Sequence, residues 1–351
     1  MSTHGAPDMR ANKKYLKVKE LALKIIDIVG LYALFNRYTR NTGTVFMLHS
    51  IIPAQHKGHG VSTDLLRRFF DFLKKARYQV WPLADYCRAL REHEDTHKVV
   101  VFTVDDGYRD FYLNAFPIFR EYGYSATIFI TSDFIERRLF FWWDTIEYVV
   151  SQTTRDSIDL GFMGGETVLL GAAGTRNDVI SRITKYCKQL PNDDKLTLID
   201  NLVKTLNVDI SDQPGGRYAP LTWDEIHEMQ AAGIDFHPHT KTHPIIARVP
   251  RAQKVEEVTV PKQVIEERLG TKADIFCYPN GQWDDFDEET IEVLKAAGYQ
   301  AAVTGVEGFD DTRADNDMFR LRRFAIPDRM MWFKQYVSGL EAFKRRLRGT
   351  E

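Results

Sequence analysis

The sequence has little cysteine and no excess charge of either sign. Its 351 residues contain three cysteines, and 47 Lys and Arg side chains stand against 49 Asp and Glu, for a net charge of −2. A nearly neutral chain gives no reason to expect binding to nucleic acid or to an anionic surface through bulk charge. The cysteines Cys87, Cys187 and Cys277 share no short spacing, so neither a disulfide framework nor a zinc ribbon is predicted.

The sequence also lacks an uninterrupted apolar run of about 20 residues, the length that a membrane-spanning helix needs. Hydrophobic residues make up 44% of the chain and charged residues 27%, a composition typical of a folded globular protein rather than a disordered one. Residues 1–12 are polar and contain no apolar stretch that ends in small residues, so no secretory signal is predicted. We therefore expect a cytoplasmic location, either soluble or peripheral at the inner face of the membrane.

A basic, amphipathic segment follows the polar N-terminus. Residues 13–40 are predicted to be helical, opening with four lysines and continuing with the apolar stretch Leu21 to Phe35. Lys24 and Asp27 interrupt that stretch, which is shorter than a spanning helix requires. Two interpretations stay open: a helix packed on the domain surface, or a helix that contacts a membrane interface through residues 13–35.

Beyond residue 41, short β-branched runs alternate with amphipathic helices, a pattern typical of a parallel sheet. This number of units favours an α/β fold closed into an irregular parallel (β/α) barrel of about seven strands. The predicted strands are residues 44–48, 99–104, 126–130, 234–237, 274–277 and 300–303. The predicted helices are residues 64–78, 113–122, 223–232, 254–269 and 287–297. We assign residues 1–40 to an N-terminal tail and helix, 41–340 to the barrel, and 341–351 to a basic C-terminal tail.

One stretch, residues 137–217, interrupts the alternation. It contains the aromatic cluster Phe140 to Trp143, a glycine-rich, hairpin-like segment at residues 161–174, and two amphipathic helices at residues 178–190 and 193–206. Insertions between barrel elements often shape a substrate site. The stretch could equally be a mostly helical cap that only covers barrel surface, and the sequence leaves both roles open.

Two adjacent carboxylates end the most apolar of the predicted strands. Asp105 and Asp106 follow Thr103 and Val104 and precede Gly107. In parallel α/β folds the carboxyl ends of the strands carry the functional site, and a turn at Gly107 can bring both side chains to one pocket. Taken alone this is a weak indication, because Asp and Gly also form ordinary turns.

Three histidines within seven residues follow another predicted strand, namely His237, His239 and His243. The spacing of four between His239 and His243 allows one turn to present both imidazoles to one point, as a metal site requires. With one carboxylate from the Asp105–Asp106 pair they make a set of two His and one Asp that leaves coordination positions open. Open positions distinguish a catalytic metal site from a structural one.

At these residues the sequence resembles the polysaccharide deacetylase family, carbohydrate esterase family 4. Thr103 to Gly107 is similar to the family's T-F-D-D-G motif, with Val104 in place of Phe, and His239 to Pro244 matches H-[ST]-x-x-H-P in full. Residues 276–281 resemble the third motif. The likeness spans about residues 45–326 and is interrupted by the insertion.

The resemblance implies roles for individual residues. Asp106, His239 and His243 would bind one divalent metal ion, most often zinc in this family, with other divalent transition metals as alternatives. Asp105 would be the general base that takes a proton from water at the metal. Thr240 would support the histidine loop by hydrogen bonding.

The resemblance also implies the reaction, hydrolysis of a linear amide C–N bond. The substrate would be an N-acetylated amino sugar in a surface polysaccharide, an oligosaccharide or a precursor, and the backbone N–H of Asn280 would stabilise the oxyanion. Two alternatives stay open. One is deformylation or deacetylation of a lipid-linked sugar precursor, and the other is a non-catalytic, glycan-binding barrel.

The sequence departs from the family at two positions. Where the family usually has an Arg that holds the base, this chain has Cys277, and the candidate replacement is Arg323, in a segment (residues 321–324) that resembles one of the family's closing strands. The histidine that many members use as general acid is absent, because no His follows His243. His49, at the end of the first predicted strand, and His237 are the remaining candidates for the acid.

Overall fold

The computed structural model describes residues 23, 26, 30–55, 60–172, 174–210 and 215–349. The strands are β1 (Thr44–Leu48), β2 (Ile51–Ile52), β3 (Val61–Ser62), β4 (Gln79–Val80), β5 (Val99–Val104), β6 (Thr127–Ile130), β7 (Ser157–Asp159), β8 (Thr167–Leu169), β9 (Asp235–Pro238), β10 (Ile275–Cys277), β11 (Ala301–Val303) and β12 (Phe324–Ala325).

The α-helices alternate with these strands along the chain. They are α1 (Thr63–Lys75), α2 (Leu83–Glu92), α3 (Phe116–Tyr122), α4 (Ser132–Ile135), α5 (Trp142–Gln152), α6 (Thr175–Cys187), α7 (Asn192–Leu206), α8 (Trp223–Ala231), α9 (Arg251–Leu269), α10 (Glu288–Ala296), α11 (Met330–Val337) and α12 (Leu340–Arg348).

The chain divides into two compact units. Unit 1 comprises residues 1–103, 114–127 and 305–351, and unit 2 comprises residues 104–113 and 128–304. Each unit is built from strands and helices that alternate, so each buries sheet surface beneath helices.

Unit 1 contains a parallel sheet. Strand β1 pairs with β12 and is the neighbour of β5, which in turn pairs with β4. Every residue of β5 is buried, as expected of a strand that is covered on both faces. The Phe46 ring lies 5.9 Å from that of Phe102 and 5.2 Å from that of Phe333, so stacked aromatic rings fill the core of this unit.

The C-terminal residues of unit 1 form a packed helix where the sequence suggested only a basic tail. Phe343 on α12 places its ring 5.5 Å from that of Phe35 and 5.1 Å from that of Tyr38. Both partners belong to the 3₁₀ helix Leu31–Thr39. The first turns of α12 therefore bury Leu340 and Ala342 and pack Phe343 against the 3₁₀ helix, while Leu347 and Arg348 near its end are exposed.

Most of the predicted N-terminal helix lies outside the described residues. Only residues 23, 26 and 30–40 of this segment are described, and Leu23 is buried with Tyr32 and Leu340 in one apolar cluster. In the described part of the chain, no helix combines the length and apolar character needed to cross a bilayer. The expected membrane contact through residues 13–35 stays a prediction.

Unit 2 contains further parallel strands. Strand β6 neighbours β9 in one sheet, and β10 pairs in parallel with β11, with Phe276 opposite Ala302. Strands β9 and β10 are each followed directly by a loop, and β6 is followed by Thr131 and the short helix α4. These segments carry polar side chains described in the next section.

Within unit 2 the insertion has its own apolar cluster. The cluster buries Ile146 of α5, Ile183 of α6 and Leu202 of α7. Strands β7 and β8 form an antiparallel hairpin that begins earlier than the glycine-rich segment suggested. Helices α6 and α7 are the two predicted ones, whereas the helix formed by Trp142–Gln152 was not predicted from its aromatic start.

The predicted parallel α/β fold is confirmed, and the bounds of its strands differ from the predicted ones by at most one residue at each end. One helix was misjudged. The segment predicted as helix 113–122 starts with a π-helical turn, Phe111–Ala115, before α3 begins at Phe116. Pro117 lies in the first turn of α3, where its missing N–H costs no helical hydrogen bond, so the α-helix can begin only there.

Candidate metal centre

Three buried side chains of unit 2 converge on one point. Asp106 follows β5, and His239 and His243 follow β9. Asp106 Oδ1 lies 3.6 Å from His239 Nε2 and 3.4 Å from His243 Nε2. The three candidate ligand atoms all lie within 4.8 Å of one another.

These distances suit a shared ion better than direct hydrogen bonds. A hydrogen bond between N and O spans about 2.7–3.2 Å. Two ligand atoms bound at roughly 2.0–2.1 Å to a tetrahedral ion stand about 3.4 Å apart. Two imidazole nitrogens and one carboxylate oxygen are also a donor set that zinc and other divalent transition metals accept. The three residues therefore fit a divalent metal ion and leave positions open for other ligands.

His239 is held in the tautomer that a metal ligand needs. Its Nδ1–H donates to the carbonyl oxygen of Cys277 at 2.8 Å, which leaves Nε2 facing Asp106. Burial lowers the pKa of His239 to about 4, and the neighbouring His243 acts in the same direction. The imidazole is therefore neutral at physiological pH, as ligation requires.

His243 is oriented by packing instead. Among the described residues its buried Nδ1 has no hydrogen-bond partner. The ring meets Trp143 edge-on at 4.6 Å and Phe141 at 5.5 Å, and these two aromatic rings stack on each other. Trp143 is half-buried and belongs to the insertion, so the insertion supplies a side chain that touches a candidate metal ligand.

The backbone of the site adopts conformations that non-glycine residues rarely take. The φ angles are +78° at Asp106, +66° at Thr240, +58° at His243 and +57° at Asn280. Such conformations cost on the order of 1–3 kcal/mol each, and the β-branched Thr240 is the most unfavourable case. They persist only where the surroundings fix the chain, and they concentrate at functional sites.

Hydrogen bonds hold the histidine loop in this conformation. Thr240 Oγ1 accepts a bond of 2.9 Å from the N–H of His243, so its side chain closes the turn between the two histidines. The neighbouring loop after β6 adds a second set, in which Thr131 Oγ1 donates to the carbonyl of His239 and the N–H of Ser132 donates to that of Thr240.

Asp105 lies beside the same histidine but has different neighbours from Asp106. A carboxylate oxygen of Asp105, a ring nitrogen of His239 and the sulfur of Cys277 lie within 4.8 Å of one another, and all three side chains are buried. Cys277 stands where the resemblance led us to look for an Arg, and a thiol supplies no positive charge there. Asp105 is thus a second carboxylate next to the candidate ligands and outside the set that Asp106 completes.

Arg323 and His49 belong to unit 1. Arg323 is buried, and its Nη1 donates to Thr103 Oγ1 at 2.9 Å, two positions before Asp105 in the sequence. His49 follows β1 and has an exposed side chain. The expected roles of Arg323 in holding the base and of His49 as the acid stay predictions.

His237 lies in the interior of unit 2. Its Nδ1 accepts a hydrogen bond of 3.3 Å from the N–H of Ile275, and burial lowers its pKa to about 4. An imidazole that is neutral at physiological pH is a poor proton donor. These features do not favour His237 as the general acid.

Asn280 occupies a tight turn after β10. The N–H of Gly281 donates to the carbonyl of Pro279 at 2.7 Å, and Asn280 between them is in the left-handed region. Its own N–H has no backbone acceptor among the residues that the structure describes. A backbone donor of this kind can face a ligand.

A buried network next to the site was missed by the sequence analysis. Tyr108 donates its hydroxyl hydrogen to Asp144 Oδ2 at 2.6 Å and accepts a bond of 3.1 Å from Trp143 Nε1. Burial raises the pKa of Asp144 to about 7 and also raises that of Tyr108. The only signal in the sequence is that Tyr108 directly follows the Asp-Asp-Gly motif.

Comparison with known proteins agrees with this geometry. The sequence model of the family described as polysaccharide deacetylase matches residues 92–163 and 196–302, which together make up half of the chain. The protein YxkH of Bacillus subtilis (strain 168), which carries the name of a polysaccharide deacetylase, is 21% identical over 253 residues, or 72% of this chain. The match covers 60% of the length of that relative.

Solved structures show the same fold. The Streptococcus pyogenes deacetylase PplD, in complex with acetate, has a TM-score of 0.56 at 19% identity, over 87% of this chain and 98% of its own. IcaB from Ammonifex degensii has a TM-score of 0.53 at 14% identity, over 85% of this chain and 97% of its own. A de-N-acetylase from Aggregatibacter actinomycetemcomitans has a TM-score of 0.51 at 16% identity, over 86% of this chain and 100% of its own.

The matched segments contain all the residues that converge in unit 2, from the two aspartates after β5 to the histidine loop and the turn after β10. The resemblance first seen in two short motifs thus extends over half of the sequence and over the fold. The chain belongs to the polysaccharide deacetylase family.

Proposed function

We propose that the chain is a metal-dependent hydrolase that removes the N-acetyl group from an amino sugar in a polysaccharide, an oligosaccharide or a precursor of one. The observation that carries the proposal is the position of Asp106 Oδ1, 3.6 Å from His239 Nε2 and 3.4 Å from His243 Nε2, with a carboxylate oxygen of Asp105 within 4.8 Å of a ring nitrogen of His239. Two carboxylates with different neighbours can divide the work of ligand and base.

The proposed chemistry assigns one task to each residue. A divalent ion held by Asp106, His239 and His243 would supply Lewis-acid chemistry toward an acyl carbonyl and lower the pKa of water at the site. Asp105 takes the proton from the attacking water, because its carboxylate lies next to the ligands without being one of them. The N–H of Asn280 then stabilises the developing oxyanion.

The insertion supplies a surface for the sugar in this proposal. Trp143 lies against His243, and its indole is half-buried rather than fully covered. Aromatic faces suit the apolar side of a pyranose ring. The cluster from Phe140 to Trp143 thus has two parts: Trp142 packs in the insertion core, while Trp143 borders the site.

The test is release of the acyl group by purified protein supplied with Zn²⁺ or Co²⁺. We expect acetate from N-acetylglucosamine oligosaccharides and none from the double variant His239→Ala/His243→Ala. If the protein releases formate from N-formylated sugars and no acetate, the acyl group of the substrate is formyl and not the proposed acetyl. Saturable glycan binding without release of either acid would contradict the catalytic proposal and favour a binding function.

A metal measurement tests the ligand assignment separately. The wild-type chain should hold about one divalent ion, as a single site of three ligands requires. The double variant should hold none while its circular dichroism spectrum is retained, because the ligands lie in loops after the strands rather than in them. Stoichiometric metal in the double variant would show that other residues bind the ion.

A further inference from the structure

The segment between the two candidate histidine ligands is held from the outside by one buried carboxylate. Glu257 on α9 is 2% exposed. Its Oε2 accepts hydrogen bonds from the N–H of Lys241 at 2.9 Å and from that of Thr242 at 2.8 Å. Its Oε1 accepts a third bond from the hydroxyl of Thr242. One carboxylate therefore accepts from the backbone N–H groups of both loop residues and from the hydroxyl of Thr242.

These three bonds act on a loop that is under conformational strain. Thr240 and His243 flank the anchored pair and both have positive φ. The bond from His243 N–H to Thr240 Oγ1 closes the turn, but it does not fix the turn relative to the rest of unit 2. The contacts to Glu257 do so, and the N–H of Asp133, which donates to the carbonyl of Lys241 at 3.0 Å, adds to them.

The helix that carries Glu257 contains a proline one turn further on. Pro261 lies inside α9, four residues after Glu257. Because proline has no N–H, the carbonyl of Glu257 cannot receive its regular helical hydrogen bond. A proline in a helix interior costs about 3 kcal/mol relative to alanine, and α9 nevertheless runs continuously from Arg251 to Leu269.

We infer that Glu257 is a positioning residue that sets the separation and orientation of His239 and His243 for metal binding. The inference rests on the metal site of the proposed function. Groups that orient metal ligands from behind typically affect affinity by 10- to 100-fold when they are removed, although they never touch the ion. Glu257 acts on both histidines at once, because its two partners are two of the three residues that connect them.

The experiment is a competition titration of metal-free protein with Zn²⁺ in the presence of a chelating dye. Glu257→Ala should weaken Zn²⁺ binding by about 10- to 100-fold relative to the wild type. Glu257→Gln should restore most of the affinity, because its amide oxygen can still accept from both backbone N–H groups. Thr242→Val, which removes only the hydroxyl donor, should weaken binding by a few-fold, on the order of one lost hydrogen bond.

Glu256 offers a matched control on the same helix. It is exposed and forms an ion pair with Lys241 Nζ, so it touches the same loop from solvent without holding its backbone. Glu256→Gln should leave the affinity within about twofold of the wild type, as expected for a surface ion pair. The absorption spectrum of the Co²⁺ form adds a readout of ligand geometry, which should change in Glu257→Ala and stay unchanged in Glu256→Gln.

The outcomes separate this inference from the proposed function. Wild-type affinity and an unchanged Co²⁺ spectrum in Glu257→Ala would overturn the inference, and unchanged affinity in Thr242→Val would do so if the alanine variant does not fold. A wild-type chain that binds no metal would overturn both. A third outcome separates the two proposals. If the wild type binds metal, the variant without Glu257 binds it more weakly, and no acyl group is released, the inference is supported and the proposed reaction is contradicted.

Discussion

Asp105 and Asp106 are adjacent in the sequence, yet their side chains have different neighbours. Asp106 faces both imidazoles, whereas Asp105 lies with Cys277 beside His239. Successive residues on an extended chain point in opposite directions, and the positive φ of Asp106 turns the chain just after the strand. The two carboxylates can therefore serve one site from two sides.

The first prediction concerns the proposed base. Asp105→Asn keeps the shape of the side chain but removes its capacity to accept a proton, so kcat should fall by roughly 10²–10⁴-fold. Zinc content, measured by elemental analysis, should stay close to that of the wild type. Asp106→Asn is the paired control and should lose metal together with activity. Full activity in Asp105→Asn would contradict the assignment of the base.

The second prediction concerns Asp144, whose pKa is raised by burial to about 7. An unfolded chain releases this proton near the usual pKa of about 4, so the folded state binds more protons between these values. Asp144 therefore makes the free energy of unfolding larger at low pH than at high pH. This contribution is lost as the pH rises through about 7. Asp144→Asn, which can still accept from Tyr108, should remove this dependence.

Urea unfolding of the metal-free proteins at pH 6 and pH 8 measures the effect. Between pH 6 and pH 8, the free energy of unfolding of the wild type should fall by about 1 kcal/mol more than that of Asp144→Asn. An equal decrease in the free energy of unfolding of the two proteins would show that Asp144 titrates outside the interval from pH 6 to pH 8. Asp178 is a suitable control, since its side chain is exposed on α6 and Asp178→Asn should behave as the wild type does.

At the scale of elements, the insertion contributes more than a cover. Helix α5 begins at Trp142 within the apolar cluster of the insertion, while the next residue, Trp143, packs on His243. The hydrogen bond from Trp143 Nε1 to Tyr108 fixes the indole in this position. One element thus joins the insertion core to the candidate metal centre.

The third prediction follows from that contact. Trp143→Ala should lower metal affinity or kcat/KM by about 10- to 100-fold, because His243 loses the ring that orients it. Trp143→Phe should lose less, since a smaller ring can still pack there. Phe162, an exposed aromatic residue of the same insertion, supplies the control, and Phe162→Ala should leave both quantities unchanged. Wild-type values in Trp143→Ala would mean that the insertion does not shape the site.

The main strands and the meeting of the candidate ligands Asp106, His239 and His243 could be predicted because their signals are local. Strand β5 is an unbroken apolar run, and the two histidines are four residues apart. The supporting residues have no such signal, because their partners are distant in the sequence. Tyr108 and Asp144 are 36 positions apart, and Thr242 and Glu257 are 15 apart. No local pattern distinguishes Glu257 from the exposed Glu256 beside it.

At the scale of the whole molecule, the three candidate ligands all belong to unit 2. Because unfolding separates residues that are distant in the sequence, an ion bound by them stabilises only the folded state of that unit. At a free metal concentration of 100 times Kd the gain is about 2.7 kcal/mol.

The fourth prediction is a local pattern of hydrogen exchange. Saturation with Zn²⁺ should slow exchange most in the loops after β5, β6 and β9, because these loops hold the ligands and their supports. The amides of β1 and β12 in unit 1 provide the internal comparison and should change least. Equal protection throughout the chain would instead indicate that both units unfold as one cooperative body.

The left-handed backbone at Thr240 bears on how the chain would evolve under selection for heat resistance alone. Glycine at that position would release part of about 1–3 kcal/mol of strain, but it would also leave the buried N–H of His243 without the hydroxyl that accepts from it, at a cost of about 1–3 kcal/mol. Because the two effects are of similar size, a library screened only for survival on heating should exert little selection for threonine at this position. Its descendants would then keep the fold of the family while losing the turn that holds the two histidines.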